Sequence, residues 1–238
     1  MKTKTVKKAK AKLKQDLGTF VKVKAGTFLM GSPLSEDNRS SDETQHAVTI
    51  SRSFEICATQ VTQKQWAAVM GSNPSPFKGD NRPVETVSWF DCQEFISKLN
   101  RSQKTYVYRL PTEAEWEFAC RGGTQTAYSF MDPSSLHEYS WSYSNSDGKT
   151  SDVGMLKPNP IGLYDMHGNV WEWCQDWYGP YNTSNDHNPT GPSSGSFRVF
   201  RGGSWGNDAQ YLRSAYRGYN VPSARYYSLG FRLVRTSP

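Results

Sequence analysis

The chain has 238 residues, of which 36% are hydrophobic and 13% aromatic, so it can bury a substantial core and does not have the composition of a disordered protein. Its formal charge of +6 comes from seven lysines within residues 1–15, without which the remaining chain carries −1. A charge confined to one terminal block is typical of a solvated tail, which argues against a specific nucleic-acid site, and no apolar run is long enough to span a membrane.

Residues 1–17 are therefore predicted to form a basic, disordered tail that the fold does not need, and residues 18–238 a single domain. The tail lacks the apolar core of a secretory signal, so we expect a cytoplasmic chain, with surface display by another route left open. Four cysteines are scattered without a CxxC pair, and we interpret them as buried free thiols in a reducing compartment. These are Cys57, Cys92, Cys120 and Cys174.

The first structured stretches are predicted to be strands. "FVKVKAGTFLMGS" (20–32) alternates apolar and polar residues up to a glycine, which indicates a strand followed by a turn. "HAVTISRSFEIC" (46–57) repeats the pattern.

Three helices follow, and each is predicted from a capping box. In this arrangement a hydroxyl accepts a hydrogen bond from the first helical turn, while the side chain three residues later reaches back to the cap. The pairs are Thr62 with Gln65, Ser88 with Asp91, and Thr112 with Glu115. From Gly122 onward the sequence is rich in Gly, Pro, Ser, Asn and Trp without helical periodicity, which predicts long ordered loops between short strands.

Seven stretches in order along the chain resemble the formylglycine-generating enzyme (sulfatase-modifying factor) family. They are "GTFLMGS" (26–32), "VTQKQWAAVMG" (61–71), "PVETVSWFD" (83–91), "YRLPTEAEWEFACRGG" (108–123), "NPIGLYDMHGNVWEWCQDWY" (159–178), "RVFRGGSW" (198–205) and "LGFRLVR" (229–235). The resemblance implies an α+β, C-type-lectin-like fold with few regular elements. It also implies a binding surface near the C-terminus.

The resemblance does not carry over the family's catalytic chemistry. Catalytic members use two cysteines that hold a copper ion, and the matching positions here are Asn207 and Leu212. Because soft thiolates bind Cu(I) and neither replacement can, we expect no copper and no enzymatic activity.

A calcium site is a further implication of the family. In "DMHGNVWE" the resemblance assigns four ligands, the carboxylates of Asp165 and Glu172 and the carbonyls of Gly168 and Val170. Calcium selects such an oxygen-only set. We expect a structural role, while the alternative is that both carboxylates only satisfy backbone donors of a tight loop.

The C-terminal segment 198–235 is predicted to carry a ligand-binding surface. In "AYRGYNVPSARYYSLGF" (215–231) no period of 2 or 3.6 organises the tyrosines, and no acid, base or thiol recurs for catalysis. Tyr with small polar residues is instead typical of recognition surfaces. The predicted ligand-binding residues are Trp205, Asn207, Asp208, Tyr211, Tyr216, Gly218, Tyr219, Asn220, Val221, Ala224, Tyr226, Tyr227 and Ser228.

Apart from Trp205, each of these residues can be reached from an AAY asparagine codon by changing only adenines. The pattern resembles the variable proteins of diversity-generating retroelements, which would bind a protein or other macromolecular ligand. Interleaved residues, among them Arg213, Arg217 and Arg225, are interpreted as scaffold. Two alternatives stay open: a superfamily oxidoreductase with a different centre, and an accessory domain of a larger assembly.

Overall fold

The computed structural model describes residues 16–184 and 187–238. Ten short strands and four α-helices alternate with long loops. The strands are β1 (Phe20–Val23), β2 (Gly26–Met30), β3 (His46–Ile50), β4 (Phe54–Cys57), β5 (Val107–Arg109), β6 (Trp171–Trp177), β7 (Arg198–Arg201), β8 (Gly218–Asn220), β9 (Leu229–Gly230) and β10 (Val234–Thr236). The helices are α1 (Gln63–Met70), α2 (Trp89–Ser102), α3 (Glu113–Arg121) and α4 (Leu136–Tyr139).

The strands form three sheets. One has the order β1-β4-β10-β5, a second pairs β2 with β3, and the third has the order β8-β7-β6-β9. In the third sheet β6 runs antiparallel to β7 and parallel to β9. This sheet places β8 at one edge and β9 at the other, so the segment between β7 and β9 crosses from one edge of the sheet to the other.

The sequence correctly predicts how the helices begin but not how the strands divide. All three capping boxes are present, with the hydroxyls of Thr62, Ser88 and Thr112 each accepting from the backbone three residues later. Each predicted strand is in fact two strands: 20–32 contributes β1 and β2, and 46–57 contributes β3 and β4. The two halves enter different sheets, because a short bend changes partners without interrupting the alternating pattern.

The core begins before residue 18. Leu17 is buried and packs in the same cluster as Trp66, Phe95 and Phe231. The prediction that residue 17 belongs to the tail is therefore wrong, because its side chain removes apolar surface from water as any core residue does. The lysine block at 1–15 lies outside the described residues.

The second half of the chain is irregular, as predicted, and buried ion pairs fix its loops. Arg201 on β7 donates to Glu113 at 2.7 Å and Glu117 at 2.5 Å, and to the carbonyl of Ser214 at 2.6 Å. The guanidinium and both carboxylates are shielded from solvent. The four cysteines are free and buried, as the sequence indicates.

Candidate functional site

The segment between β7 and β9 is attached to the domain by arginines, of which Arg213 is the first. Its guanidinium donates to both carboxylate oxygens of Glu43 at 2.7 Å and to Glu36 at 2.6 Å. It also donates to the carbonyl of Asn38 at 2.8 Å. Burial alone would raise the pKa of Glu43, but the hydrogen bonds from Arg213 hold it below its ordinary value. The segment is thereby joined to the loop that precedes β3.

Arg217 attaches the same segment to α3. Its Nε and Nη2 donate to the two carboxylate oxygens of Glu113 at 2.7 and 2.8 Å, and its Nη1 donates to the carbonyl of Asp42 at 3.1 Å. Arg217 is only 5% exposed. Because a buried charge that loses its partner is strongly destabilising, this bidentate pair fixes the backbone around residue 217.

Arg225 makes a weaker attachment at the surface. It donates to both oxygens of Asp91 at 2.8 and 2.9 Å, and the Arg225 side chain is half exposed. Burial would raise the pKa of Asp91, but the hydrogen bonds from Arg225 and Ser88 lower it. An exposed pair of this kind contributes little to stability, so Arg225 orients its loop more than it holds it.

The predicted ligand-binding residues before, between and after these arginines divide by exposure. One group faces solvent and is called here the exposed face: Asp208, Tyr219, Val221, Tyr226 and Tyr227. A second group is half-buried: Trp205, Asn207, Tyr211, Tyr216, Asn220, Ala224 and Ser228. The structure thus presents three of the predicted tyrosines to solvent, while their role as ligand contacts stays a prediction.

Two groups of aromatic rings support the exposed face. Tyr227 packs against Trp205 with ring centroids 5.5 Å apart, and Trp205 meets Phe77 edge-on at 5.6 Å. Tyr219 stacks on Tyr178 at 3.8 Å. Such offset and edge-to-face contacts fix ring orientation while leaving one side of each ring accessible.

Some supporting residues were not found by sequence reasoning. Phe197 lies 5.5 Å from Tyr219, and its side chain is 39% exposed. The sequence did carry a signal that Phe197 is exposed, because an aromatic residue inside the Ser- and Gly-rich stretch "SSGSFRV" has no periodic pattern that would place it in the core. Phe77 and Tyr178 had no such signal, since their contacts join segments more than 40 residues apart.

Gly218 does not fit the predicted role of a variable contact residue. It is buried in β8, and a Cβ built on it would lie 2.1 Å from Cε2 of Phe200. Any larger residue would collide with that ring, so Gly218 belongs to the scaffold.

Tyr211 and Tyr216 also differ from the exposed tyrosines. Their rings meet at 5.1 Å, and Tyr216 lies 5.9 Å from Trp171. Both pack against the core. Burial, followed by the neighbouring Tyr211, raises the pKa of the Tyr216 hydroxyl. Tyr216 therefore packs with the core more than the exposed tyrosines do, and its predicted role as a ligand contact stays a prediction.

The two positions that match the family's copper cysteines serve packing and turn formation. Asn207 Oδ1 accepts from the hydroxyl of Ser204 at 2.6 Å. Leu212 is fully buried and packs with Tyr128 and Phe130. Neither side chain offers a soft ligand, so copper chemistry of the family type has no thiolate at this place.

The predicted calcium residues converge on one point. The carbonyl oxygens of Asp165, Gly168 and Val170 lie 2.9–3.2 Å from Nε2 of Gln60, and a carboxylate oxygen of Glu172 lies 3.0 Å from it. We call these four oxygens the oxygen cage. Asp165 contributes its main-chain carbonyl instead of the expected carboxylate, which accepts from the Gly154 amide at 2.8 Å.

The oxygen cage has more acceptors than its amide can satisfy. Gln60 offers two N–H groups to four oxygens, while its own Oε1 and Oδ1 of Asp165 are buried without a hydrogen-bond partner. The Glu172 carboxylate also accepts hydrogen bonds from Nε and Nη2 of Arg232, at 2.9 and 2.8 Å. Burial raises the pKa of Asp165 to about 6. An oxygen-only set with orphaned oxygens fits a hard cation.

The described part of the chain lacks two features, a side-chain metal cluster and a membrane-spanning helix. Residues 16–184 and 187–238 contain no cluster of three or more His, Cys, Asp or Glu side chains that could hold a metal ion. The oxygen cage, built mainly from carbonyls, is not a cluster of that kind. Within the same residues no helix is long and apolar enough to cross a membrane.

Residues 5–237 match the family model described as a sulfatase-modifying factor enzyme 1-like domain. The chain is 31% identical over 239 residues to the chaperone protein LppX of Paenibacillus barcinonensis, covering 79% of this chain and 82% of that protein. It is 35% identical over 184 residues to mouse (Mus musculus) formylglycine-generating enzyme, covering 70% of this chain and 48% of the enzyme.

Among solved structures, Treponema denticola variable protein 1 is similar with a TM-score of 0.83 and 35% identity. The match covers 90% of this chain and 94% of that one. Together with the mixed sheets, few helices and long ordered loops, these matches agree with the fold expected from the sequence. The chain belongs to the sulfatase-modifying factor family and has its α+β, C-type-lectin-like fold.

Proposed function

We propose that this protein is a non-catalytic binding protein that displays a diversifiable surface on a C-type-lectin-like scaffold. The observation that carries the proposal is the division of one segment into two classes of residue. Arg213 and Arg217 are buried and ion-paired, while Tyr219, Tyr226 and Tyr227 face solvent. A backbone fixed by buried pairs can tolerate changes at exposed positions of the same segment, which is what a diversifiable surface requires.

The exposed face has the chemistry of a macromolecular binding site. Tyr219, Tyr226 and Tyr227 are 45–55% exposed, and Val221 adds an apolar side chain beside them. Exposed tyrosines give a large contact area at low conformational-entropy cost, and aromatic anchors usually carry most of an interface's affinity. We therefore propose a protein or other macromolecular ligand.

The origin of the diversity is proposed to be a retroelement. Support comes from the amino acids of the segment, which can be reached from AAY codons by changing adenines alone, and from the similarity to a protein named as a variable protein. DNA flanking the gene provides the test. A reverse-transcriptase gene and a near copy of the 198–234 coding segment, differing only at adenines, are expected. An intact flanking region without either would contradict this origin and leave the binding function standing.

The binding function itself is tested with two displayed libraries. One library randomises the five positions of the exposed face, and the control library randomises Arg213, Arg217 and Leu212. We expect the first to stay protease-resistant and to yield binders to unrelated target proteins, and the second to unfold. Loss of protease resistance in the first library, or no binders from it, would overturn the proposal.

The competing function is an oxidoreductase of the same superfamily, as the similarity to formylglycine-generating enzyme allows. Asn207 and Leu212 do not support a copper centre, and the four cysteines are all buried. Elemental analysis separates the two. Copper or iron bound stoichiometrically, with oxygen consumption in the presence of a thiol peptide, would favour the enzyme.

Calcium is proposed as a structural ion of the oxygen cage. The support is the convergence of Asp165, Gly168, Val170 and Glu172 on one point, together with the two orphaned oxygens. The two ends of the Gln60 amide are nearly isosteric, so this side chain could face the cage with its oxygen. Bound calcium would tie the loop 165–172 to β6. Elemental analysis of protein purified without chelator tests the site.

A further inference from the structure

A second candidate site lies away from the oxygen cage. A cavity of about 390 Å³ opens between the end of β6, the start of α3 and the loop that follows β6. Asp176, Glu113 and Arg217 line its polar side, and Trp177 with Pro180 and Pro192 lines its apolar side. Its volume is in the range of small-ligand sites, which are concave and apolar with a few placed polar groups.

Glu113 and Arg217 in the cavity wall have ion-pair partners, whereas Asp176 does not among the described residues. The carboxylate of Glu113 is held by Arg217 and Arg201, and Arg217 is saturated by Glu113 and the Asp42 carbonyl. Asp176 is 4% exposed, yet among the described residues no Lys or Arg lies within ion-pair distance of it. The backbone amide of Glu113 donates a hydrogen bond to Asp176 Oδ2 at 2.9 Å.

We propose that this cavity binds an organic cation, an ammonium or guanidinium group, with Asp176 as its counter-charge. The wall offers no free guanidinium to an anion, because Arg217 already donates to Glu113 and to the Asp42 carbonyl. The apolar side lowers the local dielectric and thereby strengthens the contact between the cation and the carboxylate. Aromatic rings nearby already accept cations, since the Arg217 guanidinium lies 3.9 Å from the Tyr181 ring.

Proton balance follows from the burial of Asp176. Burial, and then the neighbouring Glu113, raise the pKa of Asp176 to about 8, so at neutral pH the empty site holds a carboxylic acid. A bound cation favours the ionised form, and the displaced proton goes to solvent. Binding should therefore release up to one proton per site near pH 7 and become tighter as the pH rises toward 8.

The cavity adjoins the exposed face. The Arg217 guanidinium contacts the Tyr178 ring as well as the Tyr181 ring, and it lies 4.8 Å from the centroid of Tyr178. The Tyr178 ring in turn stacks with Tyr219 of the exposed face. The cation could therefore be a free small molecule or a Lys or Arg side chain of a macromolecule bound at that face. The cavity does not require the proposed binding function, because its wall is built mainly by α3, β6 and the loop after β6.

The test uses calorimetric titration of the full chain with n-butylammonium and methylguanidinium at pH 7.5. Butanol and butyrate serve as neutral and anionic controls. We expect millimolar or tighter binding of the cations alone, with heats that depend on the buffer's ionisation enthalpy because a proton is released. Asp176→Asn should weaken binding about tenfold or more, since the counter-charge is lost while the shape is kept. Glu94→Gln, which removes an exposed carboxylate on α2, should leave binding unchanged.

A second variant guards against misfolding of the first. Ser193→Phe places a ring in the cavity from an exposed loop position and should abolish binding without altering the melting temperature. Nα-acetyl-lysine N-methylamide, whose side-chain ammonium is free, separates the two sources. If it binds as tightly as butylammonium, the cation is a side chain of a macromolecule. If it does not bind while butylammonium does, the cation is a free amine. Three results would overturn the proposal. Butanol could bind as tightly as the cations, or Asp176→Asn could bind them undiminished. The third result is that neither cation binds at 10 mM, which is on the order of the weakest specific affinities.

Discussion

Arg217 and Tyr219 are two residues apart, yet the structure treats them in opposite ways. The charged residue is buried against Glu113, and the aromatic residue stands 45% exposed on Tyr178. In an ordinary strand or helix the apolar residue would be inside. Here Tyr219 lies in the short strand β8 and Arg217 directly precedes it, and the connections on either side of β8 are irregular. Buried ion pairs fix the backbone at these connections, so the aromatic residues are free to face solvent. Substitutions at the arginines and at the exposed face should therefore have different effects on stability.

The largest effect is expected for Arg217→Ala. The change leaves Glu113 buried with only Arg201 as a cationic partner, and removing one member of a buried pair costs about 3–5 kcal/mol. Chemical denaturation measures the loss. Arg225→Ala is the matched control, because its pair with Asp91 is exposed and should cost less than about 1 kcal/mol. Equal losses for both arginines would remove the distinction between buried anchor and surface contact.

Calcium removal is expected to act on the oxygen cage. EDTA should lower the melting temperature, and calcium, but not magnesium, should restore it, because the carbonyl set suits the larger ion. Glu172→Ala should remove the response to EDTA. It should also cost about 3–5 kcal/mol by itself, because Arg232 then loses its buried partner. An unchanged wild type after chelation, with no calcium by elemental analysis, would show that Gln60 alone fills the cage.

The pH dependence of stability tests the buried Asp176. Its folded pKa of about 8 lies above its ordinary value of 3.8, so the folded state binds the extra proton. The contribution of Asp176 to the free energy of unfolding should be fully present below pH 4. It should decrease as the pH rises toward 8, by up to about 1.4 kcal/mol per pH unit. Urea denaturation from pH 5 to 8 measures the slope.

Several charged groups act on this titration. Glu113 and Glu115 on α3 raise the pKa of Asp176, Arg217 lowers it, and Arg198 faces Asp176 from β7. His46 lines the same cavity from β3. Asp176→Asn should flatten the slope relative to the wild type, which isolates Asp176 from these neighbours. A slope unchanged by the substitution would mean that Asp176 is ionised in the folded protein.

A smaller loss is expected for Gly218→Ala. The new Cβ would meet the Phe200 ring, and overpacking of this kind typically costs about 1–3 kcal/mol. Gly206→Ala is a close control, because a Cβ there has nothing within 4 Å and no positive φ. Thermal unfolding of the two variants compares a scaffold glycine with a surface one. Tolerance of alanine at both positions would return Gly218 to the variable set.

The smallest effect should come from the exposed tyrosines. Changing Tyr219, Tyr226 and Tyr227 to Ser should cost about 0.5 kcal/mol each or less, because surface substitutions away from caps and ion pairs rarely cost more. Adding Tyr216→Ser should produce a clear further loss, since that ring packs on Trp171. The melting temperatures of the triple and quadruple variants give the comparison. An unfolded triple variant would make the exposed face part of the core.

The tyrosine series also shows where sequence reasoning was limited. The codon pattern grouped Tyr216 and Gly218 with Tyr219 because all are small or aromatic and reachable from one codon. Burial separates them, and burial depends on Trp171 and Phe200, which lie on other strands. The arginines could be assigned to the scaffold from the sequence, but their partners could not.

The sequence by itself determined the features that depend on neighbours a few residues away. The three capping boxes are of this kind, because a hydroxyl and a side chain three residues later suffice to start a helix. The family motifs, and with them the fold, were also readable in order along the chain.

Only the tertiary structure decided which groups meet across the chain. It brought Glu43 and Glu113 to the arginines, placed the Gln60 amide among four oxygens, and placed the Asp176 carboxyl in the wall of a cavity. The pairings of Glu43, Glu113 and Gln60 join residues 104–170 positions apart, for which no local pattern carries a signal. Long-range packing fixes them because each buried polar group must find its partner wherever the folded chain provides one.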